Sequence, residues 1–199
     1  MNKRAKSIGA FSFLMCLVVI AGMLIYYQYM NRQKAADSTK IPSTEVEKLI
    51  AKDMDQGYPE TPKEVLDIYC RINQCLYKGA TDENRASLIG QLRKMYTKEL
   101  LSNNSLEQQT QQIIDEVAKF KSDKKVILSY TIDTSSVKYK TVKGKECAVI
   151  NIAFFLRKSG DYMKSYEEFM LAKEEDKWKI LGFQQMKSEV TTENQEGQK

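Results

Sequence analysis

Three patterns of hydrophobic and polar residues follow one another along this chain. Residues 8–30 form an uncharged apolar run, residues 44–120 repeat apolar positions every three or four residues, and residues 125–186 alternate them every second residue. A period near 3.6 is typical of helices that pack on one face, and a period of two is typical of strands. The chain is therefore predicted to have an N-terminal transmembrane helix followed by an α+β domain.

The apolar run at residues 8–30 is long enough to cross a bilayer. At about 1.5 Å per residue it makes a helix of roughly 34 Å, against a hydrocarbon core of about 30 Å. Basic residues flank it on both sides: Lys3, Arg4, Lys6, Arg32 and Lys34. The larger number on the N-terminal side favours a cytoplasmic N-terminus and an extracytoplasmic C-terminal domain. The predicted localisation is therefore the plasma membrane, with one helix in the lipid bilayer.

Two alternatives to this signal anchor stay open. A cleaved signal peptide has a shorter apolar run and small residues at its cleavage site, whereas the nearest small pair here, Ala35–Ala36, follows the basic flank. A reversed anchor would place the domain in the cytoplasm, because the difference in flanking charge is small.

The chain divides into five segments by composition. These are predicted to be a cytoplasmic N-terminus (1–7), the transmembrane helix (8–30), a stalk with a short helix (31–58), the α+β domain (59–187) and a disordered tail (188–199).

Helix starts can be recognised from their capping residues. Thr44, Thr61 and Ser105 are each followed three residues later by Glu or Gln, which is the capping-box pattern. Thr81, followed by two acidic residues, begins another helix, which is predicted to end near residues 101–104. Four helices are thus predicted, and their apolar stripes are expected to face the core.

Four strands are predicted within residues 125–186. The second, at 147–156, is apolar on nearly both faces and is therefore expected to be central. Short turns at 143–144, 159–161 and 174–176 join neighbouring strands. Such strands form a four-stranded antiparallel meander, and the helices must cover its apolar face.

Charge and composition exclude several classes of function. The net charge is +5, but five basic residues and no acidic ones lie within residues 1–34, and the remaining 26 basic residues equal the 26 acidic ones. The domain therefore lacks the basic field that nucleic-acid binding needs. Histidine is absent, which removes the usual general base and the commonest metal ligand. We expect no nucleic-acid partner, no metal and no cofactor.

Cysteine usage does not indicate a disulfide framework. Cys16 lies in the predicted anchor, which leaves the odd number Cys70, Cys75 and Cys147. Cys70 and Cys75 lie about 140° apart around a helix and should not pair. Two alternatives remain, namely a bridge from Cys147 to one of them or three buried free thiols.

The order of elements resembles that of the nuclear transport factor 2-like (cystatin-like) superfamily, in which a curved sheet wraps around helices to form a cone. Residues 61–77 (TPKEVLDIYCRINQCLY) resemble the first helix of an uncharacterised membrane-anchored family of Gram-positive bacteria with this fold. Residues 176–182 (DKWKILG) resemble the final strand of many such domains. The resemblance implies that Trp178 packs against the helices, with Ile180 on the same face.

Some members of this superfamily are isomerases or dehydratases with an acid, a tyrosine or a histidine inside the cone. The candidates for an acid–tyrosine site here are Asp133, Glu167, Glu168, Tyr130, Tyr139 and Tyr166. None lies in a motif that can be matched residue by residue, and alternating polar positions on a half-exposed sheet explain them more simply. We therefore assign no catalytic, cofactor-binding or metal-binding residue, and the chain is predicted not to be an enzyme.

One basic cluster interrupts the otherwise balanced charge of the domain. Lys138, Lys140, Lys143 and Lys145 surround a predicted hairpin turn, with Tyr139 between them. They could contact an anionic lipid or wall polymer, but lysines also keep a sheet edge soluble. The second interpretation is favoured, because glutamates on neighbouring hairpins balance the field.

The sequence is compatible with two functions from different classes. The first is a non-enzymatic, membrane-anchored module at the bacterial envelope that binds a protein partner or assembles with copies of itself. The second is a small-molecule pocket inside the cone, with or without isomerase-type catalysis. A cavity with an apolar wall and a few convergent polar groups would favour the second. A cone filled by Trp178, Phe154 and Phe169 would exclude it.

Overall fold

The computed structural model describes residues 44–186 and 189–191 of the 199-residue chain. The predicted N-terminus (1–7), the predicted transmembrane helix (8–30), the first part of the predicted stalk (31–43) and most of the tail lie outside these residues. Of the helices in the described ranges, none combines the length and the apolar character needed to cross a membrane.

Five helices precede the sheet in the described part of the chain. They are α1 (Glu45–Ala51), α2 (Pro62–Gly79), α3 (Asp82–Lys94), α4 (Lys98–Ser102) and α5 (Leu106–Ser122). The predicted capping boxes are confirmed: the hydroxyls of Thr44, Thr61 and Ser105 each accept a hydrogen bond from the backbone N–H three residues later. These contacts satisfy backbone donors that the first helical turn leaves free.

The structure differs from the predicted third helix, for which the sequence indicates an end near residues 101–104. The helix ends at Lys94, and Thr97 then caps the separate helix α4. The cause is a contact with the last long strand of the sheet. Ile180 N–H donates to the carbonyl of Met95 at 2.7 Å, and Thr97 N–H donates to the carbonyl of Ile180 at 3.0 Å. Pairing with an otherwise open sheet edge thus replaces helical hydrogen bonds at residues 95–97.

The sheet is antiparallel and follows the predicted meander in the order β1-β2-β3-β4. Its strands are β1 (Lys125–Val142), β2 (Lys145–Lys158), β3 (Asp161–Glu174), β4 (Lys177–Gln185) and β5 (Glu189–Thr191). The apolar strand β2 lies between β1 and β3, as predicted. An irregularity in the pairing of β1 falls between Asp133 and Lys138, where the polar DTSS segment occurs.

The prediction of four strands is wrong, because the sheet has a fifth strand within the predicted disordered tail. Strand β4 pairs with β3 only from Glu167 to Glu174, which leaves the first part of β3 without a partner on that side. Strand β5 pairs there, with Thr191 opposite Tyr162 and Glu189 opposite Lys164. Backbone pairing with β3 holds this strand in place. Its three residues, Glu-Val-Thr, are too few to show an alternating hydrophobic pattern, so the sequence does not predict it.

Helix α2 and alternate residues of the central strands form the main core. Fully or almost fully buried members include Val65, Leu66, Ile72, Leu76, Ile150, Ile152, Phe169 and Leu171. Trp178 and Ile180 are both buried members of the same cluster. Helix α1 joins it through Leu49, which is 2% exposed.

The three cysteines in the described residues are buried and unpaired. Cys70, Cys75 and Cys147 are all free thiols. The alternative in which Cys147 bridges to α2 is therefore not realised, and Cys70 and Cys75 do not pair with each other, as predicted.

Phe169 is predicted to be among the most sensitive positions of the core. It has no exposed surface, and its ring lies 5.1 Å from those of both Tyr69 and Phe183. The change Phe169→Ala should lower the free energy of unfolding by about 3–5 kcal/mol. Urea unfolding of the full chain in lipid nanodiscs, followed by Trp178 fluorescence, measures this loss. Phe155, which is half-buried on the other face of the sheet, provides the control; equal losses for Phe155→Ala and Phe169→Ala would contradict this account.

Candidate functional site

A cavity of about 580 Å³ lies between α2, α5 and the core face of the sheet. Helix α2 contributes Tyr69, Asn73 and Tyr77, which share one helix face because they are spaced four residues apart. Helix α5 contributes a second stripe at helical spacing, which includes Ile113 and Glu116. Two amphipathic helices therefore expose mixed apolar and polar side chains to the same space.

The sheet forms the opposite wall through alternate residues of four strands. Its apolar part consists of Ile127, Phe154, Leu156, Met163 and Phe183, and its polar part of Ser165, Glu167 and Gln185. Since successive side chains of a strand point to opposite faces, residues 163, 165 and 167 of β3 reach the cavity together.

Hydrogen bonds fix the polar groups at the helical side of the cavity. The Tyr77 hydroxyl donates to Glu116 Oε2 at 2.5 Å, which ties α2 to α5. Gln109 Nε2 donates to the Tyr96 hydroxyl at 3.2 Å, and its Oε1 accepts from Arg93 at 2.9 Å. These bonds preorganise the wall, because each side chain holds the orientation of its neighbour.

Glu167 is the acid in the sheet wall. Burial raises its pKa from the ordinary value of 4.5 to about 7, and the charge of Glu116 adds to the effect. Among the described residues, no side chain or backbone group donates a hydrogen bond to its carboxylate. A partly buried carboxylate that receives no hydrogen bond from these residues can accept a proton or pair with a cation near neutral pH.

The tyrosines around the cavity remain protonated at neutral pH. Burial raises the pKa of Tyr69 and of Tyr77 well above the usual range, and raises that of Tyr96 to about 12. Glu116 accepts a hydrogen bond from the Tyr77 hydroxyl and thereby raises the pKa of that hydroxyl further. These groups therefore act as neutral hydrogen-bonding groups rather than as bases.

The acid and tyrosine candidates from the sequence do not converge on this cavity. Only Glu167 lines it. Tyr130 donates instead to Asp67 at 2.7 Å, and the ring of Tyr139, 62% exposed, lies 6.0 Å from that of Trp178.

Asp133 and Tyr166 lie on the other face of the sheet. Both line a more open depression of about 780 Å³, beside Asn151. Glu168 is the register partner of Asn151 and accepts a hydrogen bond from Gln184 at 2.9 Å. The structure thus separates Glu167 from the other two acids that the sequence offers as candidates.

Sequence reasoning misses the partners that surround Glu167. The sequence places Tyr69 and Tyr96 in apolar helical stripes that are expected to face the core, and it does not single out Tyr77 or Glu116. One signal is present, because Asn73 places a polar residue between Tyr69 and Tyr77 on an otherwise apolar helix face.

The basic cluster lies on the β1–β2 hairpin, and none of its four lysines lines the cavity. Lys145 Nζ is 3.0 Å from Glu174 Oε1, so one of its four lysines is paired with an acid of the next hairpin. Lys143 occupies the turn itself with φ of 49°. In the described part of the chain, no group of three or more acids and cysteines is placed to hold a metal ion.

Comparison with known proteins gives a family and no function. A family model described as a domain of unknown function (DUF6715) matches residues 1–183, which include both the predicted anchor and the chain as far as β4. No curated protein and no solved structure matches the chain, so the resemblance to the nuclear transport factor 2-like superfamily stays a prediction. Because the match covers most of its length, the chain belongs to the DUF6715 family.

Proposed function

We propose that the α+β domain binds a small organic molecule in the cavity between α2, α5 and the sheet. The observation that carries this proposal is the cavity itself, which combines an apolar wall with the partly buried acid Glu167. Its volume of about 580 Å³ lies within the range of roughly 300–1,000 Å³ that is usual for ligand pockets.

The aromatic residues that could have filled the cone leave this space open. Phe169 is fully buried between Tyr69 and Phe183, and Trp178 is not among the residues that line the cavity. Phe154 forms part of the wall. This arrangement supports the second of the two functions that the sequence leaves open, a small-molecule pocket.

Binding without catalysis is the simpler form of the proposal. The Tyr77 hydroxyl already donates to Glu116, and raised pKa values keep the neighbouring tyrosines from acting as bases. Glu167 could accept a proton, but within the described residues no nucleophile or second acid is hydrogen-bonded to it.

Binding of a small molecule in the cavity can be followed at a methionine of its wall. Met163 lines the cavity, whereas Met170, on the same strand, faces the other side of the sheet. The full chain, labelled with ¹³C at the methionine methyl groups and held in lipid nanodiscs, is titrated with 4-phenylbutylamine and 4-phenylbutanol. At least one compound should shift the Met163 resonance in a saturable manner and leave that of Met170 unchanged. The change Met163→Leu assigns the resonance.

Two substitutions on α5 provide matched controls for this titration. Gln112 and Gln111 are both exposed, but only Gln112 lines the cavity. The change Gln112→Trp should block the entrance and abolish the Met163 response, and Gln111→Trp should leave it intact. The proposed function is wrong if neither compound moves Met163, or if Met163 and Met170 move together.

A second part of the proposal concerns where this pocket operates. We propose that residues 8–30 hold the domain at the outer surface of the plasma membrane, with a cytoplasmic N-terminus. Support comes from the uncharged run, from the larger number of basic residues before it, and from a family match that spans both the run and the domain. A protein-binding or assembly role at the envelope stays a prediction and requires the same topology.

Protease treatment of intact, wall-stripped cells tests this topology. An epitope placed after Lys199 should be lost without lysis, because the domain is expected outside. A cytoplasmic protein, probed in the same cells, must stay intact as the control. An epitope that survives until lysis would contradict both the proposed topology and an assembly role at the envelope.

A further inference from the structure

We propose that the ligand of this cavity is an organic cation, a protonated amine that carries an apolar body. The inference rests on the proposed function and names the class of molecule that the site would take. Two carboxylates from opposite walls carry it, namely Glu167 on β3 and Glu116 on α5.

The two acids are in different states of hydrogen bonding. Glu116 Oε2 accepts a hydrogen bond from the Tyr77 hydroxyl at 2.5 Å, and Glu116 lies on the exposed side of α5. Glu167 is more buried and, among the described residues, receives no hydrogen bond. Glu167 is therefore the acid that lacks a counter-ion or donor, and a ligand ammonium group would supply both.

Aromatic rings beside these acids provide a surface that suits a cation. The rings of Tyr77 and Phe120 lie 4.4 Å apart, and both line the cavity. Lys125 Nζ lies 5.4 Å from the centre of the Phe120 ring, so one side-chain cation already contacts this wall. Faces of aromatic rings attract cations through their quadrupoles.

Charge argues against an anionic ligand at the same place. Two lysines line the cavity, but Lys125 is already 3.5 Å from Asp123, and neither Lys125 nor Lys119 acts on the pKa of Glu167. The negative charge of Glu116 helps to raise the pKa of Glu167, and no lysine charge lowers that pKa in return. A ligand carboxylate beside Glu167 would therefore meet like charge without a compensating cation.

The affinity for an amine should depend on pH near neutrality. The charged or titratable groups near Glu167 on the packed elements are Tyr69, Cys70, Tyr77, Tyr96, Glu116, Lys119 and Lys125. Burial raises the pKa of the Cys70 thiol, which therefore stays neutral. The three tyrosines stay neutral because burial raises their pKa. With a pKa of about 7, Glu167 is about nine-tenths ionised at pH 8 and about one-tenth at pH 6. The protonated acid should hold the amine only about as well as a neutral ligand, so amine affinity should fall roughly fivefold between pH 8 and pH 6.

Three probes with the same body test the inference on the full chain in nanodiscs. They are 4-phenylbutylamine, 4-phenylbutanol and 4-phenylbutyrate, and their dissociation constants are taken from the Met163 methyl shift. At pH 8 the amine should bind about tenfold more tightly than the alcohol, because a charged hydrogen bond is stronger than a neutral one. The carboxylate should bind most weakly of the three.

Two isosteric variants separate the role of Glu167 from a general effect of charge. Glu167→Gln should reduce amine affinity to the level of the alcohol and leave alcohol affinity unchanged. Glu168→Gln removes one negative charge at the next position, on the other face of the sheet, and should preserve the amine preference.

The remaining outcomes separate failure of the cation assignment from failure of the pocket. The cation assignment is overturned if the alcohol or the carboxylate binds as tightly as the amine, or if Glu167→Gln keeps the preference. In those cases the pocket itself remains supported. If no probe moves Met163, the proposed function fails together with the inference.

Discussion

The packing of α2 against one face of the sheet determines the rest of this domain. The helix has a capping box with Pro62 at its start, and its buried residues lie on several adjoining turns. Phe169 contacts Tyr69 of this helix edge to face at 5.1 Å, and neither residue is more than 7% exposed. This contact brings the polar residues of the same helix, Asn73 and Tyr77, over the part of the sheet that carries Glu167. The position of the cavity residues therefore depends on how α2 packs in the core.

The same packing explains why an acid is partly buried beside the core. Glu167 is two residues from Phe169 on β3 and therefore faces the same side of the sheet. Its raised pKa means that the folded state binds its proton more tightly than the unfolded chain does. Stability is consequently lost as pH rises from about 4.5 to about 7, by on the order of 3 kcal/mol, and stays lower above that range. A bound cation would offset this loss.

Much of the fold could be predicted because its signals are local. The capping residues at Thr44, Thr61 and Ser105 and the apolar strand β2 indicate the helix starts and the centre of the sheet. The break at residues 95–97 and the strand β5 depend instead on backbone pairing between segments far apart in sequence. Such pairing leaves no periodic trace in the side chains.

The candidate site was predictable only in part. Glu167 is among the sequence candidates, but the ionisable groups beside it, Tyr77 and Glu116, come from α2 and α5 rather than from adjoining strands. A polar residue in a helical stripe indicates a position near the core without indicating what it faces. The meeting of Glu116 with Tyr77 depends on how the two helices cross, and sequence spacing within one helix does not determine that.

The most direct test of this account is the titration of the Glu167 carboxyl group. The full chain, labelled with ¹³C at the glutamate side-chain carboxyl carbon, is followed by NMR from pH 4 to pH 9, and Glu167→Gln assigns the signal. The expected midpoint is near pH 7, because the cavity walls partly bury the carboxyl group and Glu116 lies near it. A midpoint near 4.5, the ordinary value for glutamate, would mean that the group is fully solvated and would contradict the proposed site.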